Sequence, residues 1–265
     1  MSSAFPRVMG VVNVTPDSFS DGGQHATAQQ AIAHAFALIA QGADILDVGG
    51  ESTRPGAEAV SAHVECDRVL PVIRGIRDVN PLIPISIDTM KSEVADAAVR
   101  AGATIINDVS AGVADEAMFD VVAGHDVSYI LMHMQGTPRT MQEGPLYHDV
   151  VAEVALYLRE RVAVARSRGV RHIIVDPGIG FGKTVDHNIA LLRHVSQFVG
   201  IADEVLLGIS RKRFLGAITG ITEAAERDIV TALAHALLIA APVDIIRVHN
   251  VVLHTQLRSL ANALR

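Results

Sequence analysis

The sequence contains few of the residues on which disulfide-rich or nucleic-acid-binding proteins depend. Its 265 residues include one cysteine and no tryptophan, and aromatic residues make up 4%. The lone Cys66 excludes an internal disulfide and suits a reducing compartment, so we expect a cytoplasmic protein. The formal net charge is −7 and there is no Lys/Arg cluster. The stacking residues and the basic stripe of a nucleic-acid-binding protein are therefore both missing.

Long apolar segments are scarce as well. The segment 232–243 is interrupted by His235 and Pro242, so we expect no membrane span. The first seven residues lack a basic stretch followed by an apolar one, which predicts no signal peptide. Hydrophobic residues nevertheless make up 49% of the chain, which is enough for a large buried core. We therefore expect a globular domain rather than a membrane protein.

Short apolar segments alternate with longer helical patterns along the whole chain. We predict eight strands, at residues 8–13, 44–48, 83–88, 104–108, 128–133, 172–176, 205–209 and 244–249. Strands that alternate with helices indicate a parallel sheet. Eight such units in a chain near the usual barrel length of about 250 residues favour closure. The fold prediction is one (β/α)8 barrel over residues 1–265, with mobile loops after the first two strands.

Two helical patterns and three glycines support this interpretation. Apolar residues fall on one helical face at 151, 154, 158, 162 and 165, and on a second at 69, 72, 73 and 76. Gly42, Gly102 and Gly169 each stand shortly before a predicted strand, where a glycine that ends a helix is expected. Cys66 lies in one of these helices with no ligand or base beside it, so we interpret it as a packing residue.

Polar residues follow most of the predicted strands. They occur in the segments NVTPDSFSDGG (13–23), GGESTRPG (49–56), SIDT (86–89), NDVSAG (107–112), DPGIGFGK (176–183), SRK (210–212) and RVH (247–249). Any single Thr89 or Ser110 is more simply explained as a helix cap. Charged and amide groups at nearly every strand end exceed what capping requires. In a parallel barrel these ends share one rim, where active sites are built.

The residue types divide into two chemical sets. Asp88, Asn107 and Asp176 are suited to a flat heterocycle with several N–H donors, because carboxylates accept and an amide both donates and accepts. Lys212 and Arg247, together with a histidine at 249, are donors suited to oxyanions. The sequence therefore predicts a substrate that is heterocyclic at one end and anionic at the other.

Two other interpretations of local motifs fail. Residues 176–184 resemble a phosphate-binding loop, but Pro177 occupies the first glycine position of a Walker A motif, and the spacing of Gly178, Gly180 and Gly182 does not fit a dinucleotide-binding motif. We expect these glycines to let the backbone approach a flat ligand. His133 has no nearby ligand partners in sequence, so a structural role is favoured over metal binding.

The strand-end segments together resemble the dihydropteroate synthase family, whose members adopt a TIM-barrel fold. The seven segments occur in the family's order and span nearly the whole chain. The resemblance implies a Mg2+-dependent enzyme of folate biosynthesis. It would join p-aminobenzoate to 6-hydroxymethyl-7,8-dihydropterin diphosphate, release diphosphate, and be a target of sulfonamides. It also implies a homodimer.

The same resemblance implies residue roles. The catalytic residues would be Asp88, Lys212 and Arg247. Pterin diphosphate would be bound by Thr53, Asp88, Asn107, Asp176, Lys212, Arg247, Val248 and His249, with Arg247 stacked on the ring. The pocket for p-aminobenzoate would be formed by Phe19, Thr53, Arg54, Pro55, Lys212 and Arg213. Mg2+ would lie on the diphosphate, Asn13 and Asp21.

Two residues depart from the family's usual pattern, and two rival functions remain. Arg213 stands where many members have serine, and Asn250 stands where many have aspartate. A methyltransferase that binds methyltetrahydrofolate would share the pterin pocket but would not need segments 13–23 and 210–212 as they stand. A non-catalytic paralogue would be free to lose Asp88 or Lys212, and both are present.

Overall fold

The computed structural model describes residues 5–15, 23–52, 58–137 and 139–264. Within these residues, eight strands alternate with nine α-helices. The strands are β1 (Arg7–Asn13), β2 (Ile45–Gly49), β3 (Ile85–Asp88), β4 (Ile105–Asp108), β5 (Ser128–Met132), β6 (Ile173–Asp176), β7 (Glu204–Leu207) and β8 (Ile245–Val248). The helices are α1 (Gly23–Ala40), α2 (Ala62–Val79), α3 (Ser92–Arg100), α4 (Ala117–His125), α5 (Val150–Ser167), α6 (Val185–Arg193), α7 (Arg213–Thr219), α8 (Asp228–Leu237) and α9 (Val251–Ala263).

The eight strands form a closed parallel barrel in which β1 pairs with both β2 and β8. This confirms the predicted (β/α)8 fold, and the strand bounds differ from the prediction by at most two residues. The larger differences have local causes. The Ile83 amide donates to the side chain of Asn80, so Ile83 belongs to the turn before β3. The Ile209 carbonyl accepts from the Lys212 amide, which turns the chain away after β7.

The barrel interior has an apolar floor beneath a polar layer. Seven strands each contribute one side chain to the floor, which consists of Met9, Ile45, Ile105, Ile130, Ile174, Leu206 and Ile245. Side chains alternate along a strand, so the residue two positions further on faces the same interior, nearer the C-terminal end of the barrel. Those positions hold Val11, Asp47, Asn107, Met132, Asp176, Gly208 and Arg247. The alternation of side chains along the strands thus places charged and amide groups directly above the apolar floor.

The helices cover the barrel through the faces that the sequence predicts. Val151, Val154, Leu158, Val162 and Ala165 are buried along α5, and the predicted stripe of α2 is buried as well. Positive φ angles of 95°, 119° and 88° at Gly42, Gly102 and Gly169 follow the ends of α1, α3 and α5. The described helices lack the combination of length and apolar composition needed to cross a membrane.

Candidate active site

A pocket opens at the C-terminal end of the barrel and encloses about 420 Å³, including its mouth. Six of its lining residues are the acceptors and donors singled out from the sequence. The complete lining is Asp88, Asn107, Val109, Met132, Asp176, Phe181, Gly208, Ser210, Lys212, Arg247 and His249. The barrel therefore brings together the three acceptors and the three donors that the sequence separates by up to 161 residues.

Arg247 is held between two carboxylates. Its Nε lies 2.5 Å from Asp47 Oδ2 and its Nη2 lies 2.8 Å from Asp88 Oδ2. These carboxylates raise the pKa of the Arg247 guanidinium despite its burial. Burial raises the pKa of Asp88 to about 7, with Arg247 opposing the shift and Asp47 adding to it. The guanidinium is thus fixed in place before any ligand arrives.

Asp47 is the main site residue that sequence reasoning missed. It is fully buried in β2, and its carboxylate accepts from Asn107 Nδ2 at 3.3 Å as well as from Arg247. A signal was present in the sequence, because Asp47 is an ionisable residue in the middle of an otherwise apolar strand. A charge in that position needs a partner, but the partner lies 200 residues away.

Asp176 and Lys212 occupy the opposite wall of the pocket. Asp176 Oδ1 accepts from the Gly178 amide at 2.8 Å. Burial raises the pKa of Asp176, while the Gly178 amide and nearby cations oppose the increase. Lys212 is the N-cap residue of α7, and its Nζ lies 3.9 Å from the centre of the Phe181 ring. Burial and the nearby Arg247 lower the pKa of Lys212 to about 8, although Asp176 and Asp88 attract its charge.

His249 is arranged as a neutral donor. The Ser210 hydroxyl accepts from the His249 amide at 3.1 Å and lies 2.9 Å from His249 Nδ1. The direction of the hydrogen bond between Ser210 Oγ and His249 Nδ1 depends on which ring nitrogen carries the imidazole proton. Burial and the neighbouring Arg211 and Arg247 lower the pKa of His249 to about 3. The ring can therefore donate one hydrogen bond without carrying a charge.

The remaining site predictions have different outcomes. Asn13 ends β1 on the same face as Met9 of the barrel floor, half-buried. The Val248 side chain does not line the pocket. It alternates with the inward-facing Arg247 and packs in the outer core, the hydrophobic cluster between the strands and the surrounding helices. Arg213 is exposed at the first position of α7 and is not part of the pocket lining. The predictions for Phe19, Asp21, Thr53, Arg54 and Pro55 lie outside the described residues.

The asparagine at position 250, where many members of the family have aspartate, has a structural explanation. Its Oδ1 accepts from the Leu253 amide and caps α9, while its Nδ2 donates to Asp228 Oδ2 at 3.3 Å. Asp228 also forms a two-point ion pair with Arg211. An aspartate at position 250 would place a second carboxylate against Asp228, so the amide suits the partner that this chain provides.

The glycines after β6 allow close packing between two loops of the rim. Gly178 has a φ of 69°, and a Cβ there would lie 1.8 Å from the His133 carbonyl oxygen. A Cβ on Gly182 would lie 2.6 Å from the Gln135 carbonyl oxygen, and one on Gly180 would lie 3.0 Å from Lys212 Cδ. These glycines let the loop after β6 pack against the loop after β5 and against Lys212.

The family model of pterin-binding enzymes matches residues 9–249. Together with the closed barrel and its rim of acceptors and donors, this places the chain among the pterin-binding α/β-barrel enzymes. A dihydropteroate synthase of Synechocystis sp. is 43% identical over 259 residues, covering 97% of this chain and 89% of that protein. A folate synthesis bifunctional protein of Arabidopsis thaliana is 44% identical over 92% of this chain, which spans 54% of its length.

The fold agrees with solved structures of the same family. Xanthomonas albilineans dihydropteroate synthase with 4-aminobenzoic acid is 44% identical, with a TM-score of 0.91, over 98% of this chain and 93% of that one. The same enzyme in complex with 7,8-dihydropteroate superposes with a TM-score of 0.87 at 41% identity, over 98% and 94% of the two chains. The chain belongs to the dihydropteroate synthase family, the enzymes of folate synthesis that the sequence motifs resemble.

Proposed function

We propose that this chain condenses 6-hydroxymethyl-7,8-dihydropterin diphosphate with p-aminobenzoate, giving 7,8-dihydropteroate and diphosphate. One observation carries the proposal: Asp88, Asn107 and Asp176 share a pocket with Lys212 and Arg247, above an apolar floor. Acceptors for ring N–H groups and cations for a leaving anion are then within reach of one small ligand. Solved structures of a relative contain 4-aminobenzoic acid and 7,8-dihydropteroate, the second substrate and the product of this reaction, which supports the proposal.

The pterin ring is bound by groups already fixed in the free protein. Asp176 accepts from the amino group and a ring N–H, Asn107 donates and accepts at the ring edge, and Lys212 donates to the ring carbonyl. Asn107 is oriented by its hydrogen bond to Asp47, and Asp176 by the Gly178 amide. The planar guanidinium of Arg247 stacks on the ring. Preset acceptors of this kind favour a substrate with several donors on one edge.

The diphosphate is bound by Arg247 and by His249, whose neutral imidazole donates to an oxyanion without adding charge. Val248 contributes through its main chain alone, since its side chain packs in the outer core. Among the described residues, no group of three His, Cys, Asp or Glu side chains is arranged to hold a metal. The donor set instead fits Mg2+ held by the Asn13 amide oxygen and by oxygens of the substrate, with Asp21 as a further ligand.

The bond between the pterin methylene carbon and the diphosphate oxygen breaks first, and its electron pair leaves with the diphosphate. Mg2+ held by Asn13 would supply positive charge against the departing group. Arg247, fixed by Asp47 and Asp88, does the same from the protein side. The resulting cation is delocalised into the ring, and the Asp88 carboxylate stabilises it. The amine of p-aminobenzoate then supplies its electron pair to the methylene carbon and releases a proton, which the departing diphosphate can accept.

The p-aminobenzoate site forms around Lys212. Phe19, Thr53, Arg54 and Pro55 complete it from the loops after β1 and β2, and Arg213 contributes its backbone amide to the carboxylate. Closure of those loops excludes water, which would otherwise capture the cation. The amine of p-aminobenzoate is a weak nucleophile, so the strongly electrophilic pterin cation has to form first.

The chain forms a homodimer in this proposal. Leu233 and Leu237 on α8 are exposed together with Ile229, four residues before Leu233, and Ile218 of α7 is exposed as well. These side chains form an apolar strip on two adjacent helices, and a second copy of the chain buries it. Light scattering checks this: Leu233→Glu should convert the dimer to a monomer, and a monomeric wild-type protein would contradict the proposal.

The function is tested by incubating the purified protein with both substrates and Mg2+ and detecting 7,8-dihydropteroate by mass spectrometry. Asp176→Asn should reduce kcat/KM by about 100-fold or more, because a buried amide leaves substrate donors unpaired. Asp120→Asn is the matched control, since Asp120 forms an exposed ion pair with Arg168. Consumption of methyltetrahydrofolate by a corrinoid acceptor would favour the methyltransferase, and pterin binding without product would favour the paralogue.

A further inference from the structure

Lys183 is a buried lysine that the reaction described above does not use. It lies at the end of the loop between β6 and α6, and it is 3% exposed. Its Nζ donates to His133 Nδ1 at 2.9 Å, to the His133 carbonyl at 3.3 Å and to the Phe181 carbonyl at 2.9 Å. Three ammonium protons therefore meet three neutral acceptors. A cation is expensive to bury in this way, so the loop gains a defined geometry at a cost in stability.

The hydrogen bonds of Lys183 act on a residue of the pocket. Phe181 lines the pocket, and its ring lies beneath Lys212, with Nζ 3.9 Å from the ring centre. The Phe181 carbonyl is the acceptor of Lys183. Lys183 thus fixes the backbone that carries the ring on which Lys212 rests.

His133 provides the fixed end of this connection. It follows β5, is 7% exposed, and packs edge-on against Tyr157 with ring centres 4.9 Å apart. Burial and the charge of Lys183 lower the pKa of His133 to about 3, so the ring is a neutral acceptor at Nδ1. Gly178 packs so closely on the His133 carbonyl that the two loops cannot separate without losing this contact.

Lys183 also contributes charge to the pterin end of the pocket. It is one of three cations, with Lys212 and Arg247, whose fields favour the ionised form of Asp176. Burial in turn lowers the pKa of Lys183 to about 7, an effect that Asp176 opposes and Lys212 reinforces. Loss of Lys183 therefore removes both a backbone anchor and a nearby positive charge.

We propose that Lys183 is a positioning residue for pterin recognition: held by His133, it fixes Phe181 beneath Lys212. It does not touch the substrate. The inference rests on the proposed function, because it assigns Lys183 to the pterin end of that same pocket.

The test measures the dissociation constant of 6-hydroxymethyl-7,8-dihydropterin diphosphate by calorimetry, in the absence of p-aminobenzoate. Lys183→Met should weaken binding about tenfold, which corresponds to about 1.4 kcal/mol. Lys183→Gln, whose amide still donates to a carbonyl, should bind with intermediate affinity and covers the case in which the methionine variant does not fold. Tyr147→Phe is the matched control: it removes a hydrogen bond of 2.9 Å to the Gly182 carbonyl in the same loop, but no contact with Phe181. It should bind within about twofold of wild type.

A double-mutant cycle with Phe181→Ala separates positioning from stability. If Lys183 acts through Phe181, Lys183→Met should weaken binding less in the Phe181→Ala background than in wild type. Melting temperatures of all variants report stability separately. A lower melting temperature with an unchanged dissociation constant, or fully additive effects, would overturn the inference while leaving the proposed function intact. Failure of the wild-type protein to bind the pterin would instead overturn the proposed function, and this inference with it.

Discussion

The contact between Asp47 and Arg247 gives the sharpest test of how the pocket is organised. Asp47→Asn keeps the shape of the side chain and an acceptor for Arg247 Nε, but it removes one of the two negative charges around the guanidinium. Asp47 is fully buried and the Arg247 side chain is 23% exposed. The variant therefore leaves a largely buried cation with a single charged partner, Asp88.

The magnitude follows from two opposing effects. Unit charges about 4 Å apart at an effective dielectric constant near 20 attract by about 4 kcal/mol. Removing one partner of a buried pair costs roughly 3–5 kcal/mol. Because Arg247 keeps Asp88 and the pocket is open to water, we expect a smaller loss, about 2 kcal/mol in the free energy of unfolding. For a domain of this size, that loss lowers the melting temperature by about 4–8 °C.

Calorimetric melting at pH 8 measures this loss, and calorimetric titration measures the accompanying change in affinity for pterin diphosphate. Asp120→Asn, which breaks an exposed two-point pair with Arg168, is the matched control and should leave the melting temperature unchanged. The Asp88 pKa should fall in Asp47→Asn, since the charge of Asp47 raises it in the wild-type protein. A melting temperature equal to or above that of wild type would refute the view that both carboxylates are needed to hold Arg247.

Four further outcomes are expected. Lys212→Met should abolish synthesis with an unchanged circular dichroism spectrum, because burial already disfavours the Lys212 charge and lowers its pKa to about 8; near-normal turnover would contradict its role. Mg2+ should bind weakly to the free protein and tightly once diphosphate is present. Asn13→Ala should raise the Mg2+ concentration needed for half-maximal activity. Tight Mg2+ binding by the free protein would count against Asn13 as the only ligand in the described part of the chain. Calorimetry should detect p-aminobenzoate binding only after diphosphate and Mg2+ are added. Equal p-aminobenzoate affinity with and without them would indicate a preformed pocket. Sulfamethoxazole should inhibit turnover in competition with p-aminobenzoate. Burial raises the pKa of Asp88 to about 7. Pterin affinity should therefore fall as the pH drops through 7, and approach a tenfold loss per pH unit as the carboxylate protonates. A pterin affinity that stays constant between about pH 6 and 8 would show that the ionisation of Asp88 does not matter.

The fold and most of the pocket could be predicted because their signals are local. A buried parallel strand is a short apolar segment, and the polar residue near its end is next in sequence, as with Asn107 in β4 or Asp176 at the end of β6. The alternation of side chains also separates Arg247 from Val248, so the outward orientation of Val248 was available from the sequence.

The sequence by itself therefore determined the barrel and the set of acceptors and donors at its rim. Only the tertiary structure decided which of these groups contact each other. Asp47 and Arg247 meet because β1 closes the barrel between β2 and β8, across 200 residues of chain. Lys183 reaches His133 because glycines let two loops pack together. Periodicity reports the face on which a residue lies, but partner choice depends on barrel closure and close packing, which no local pattern encodes.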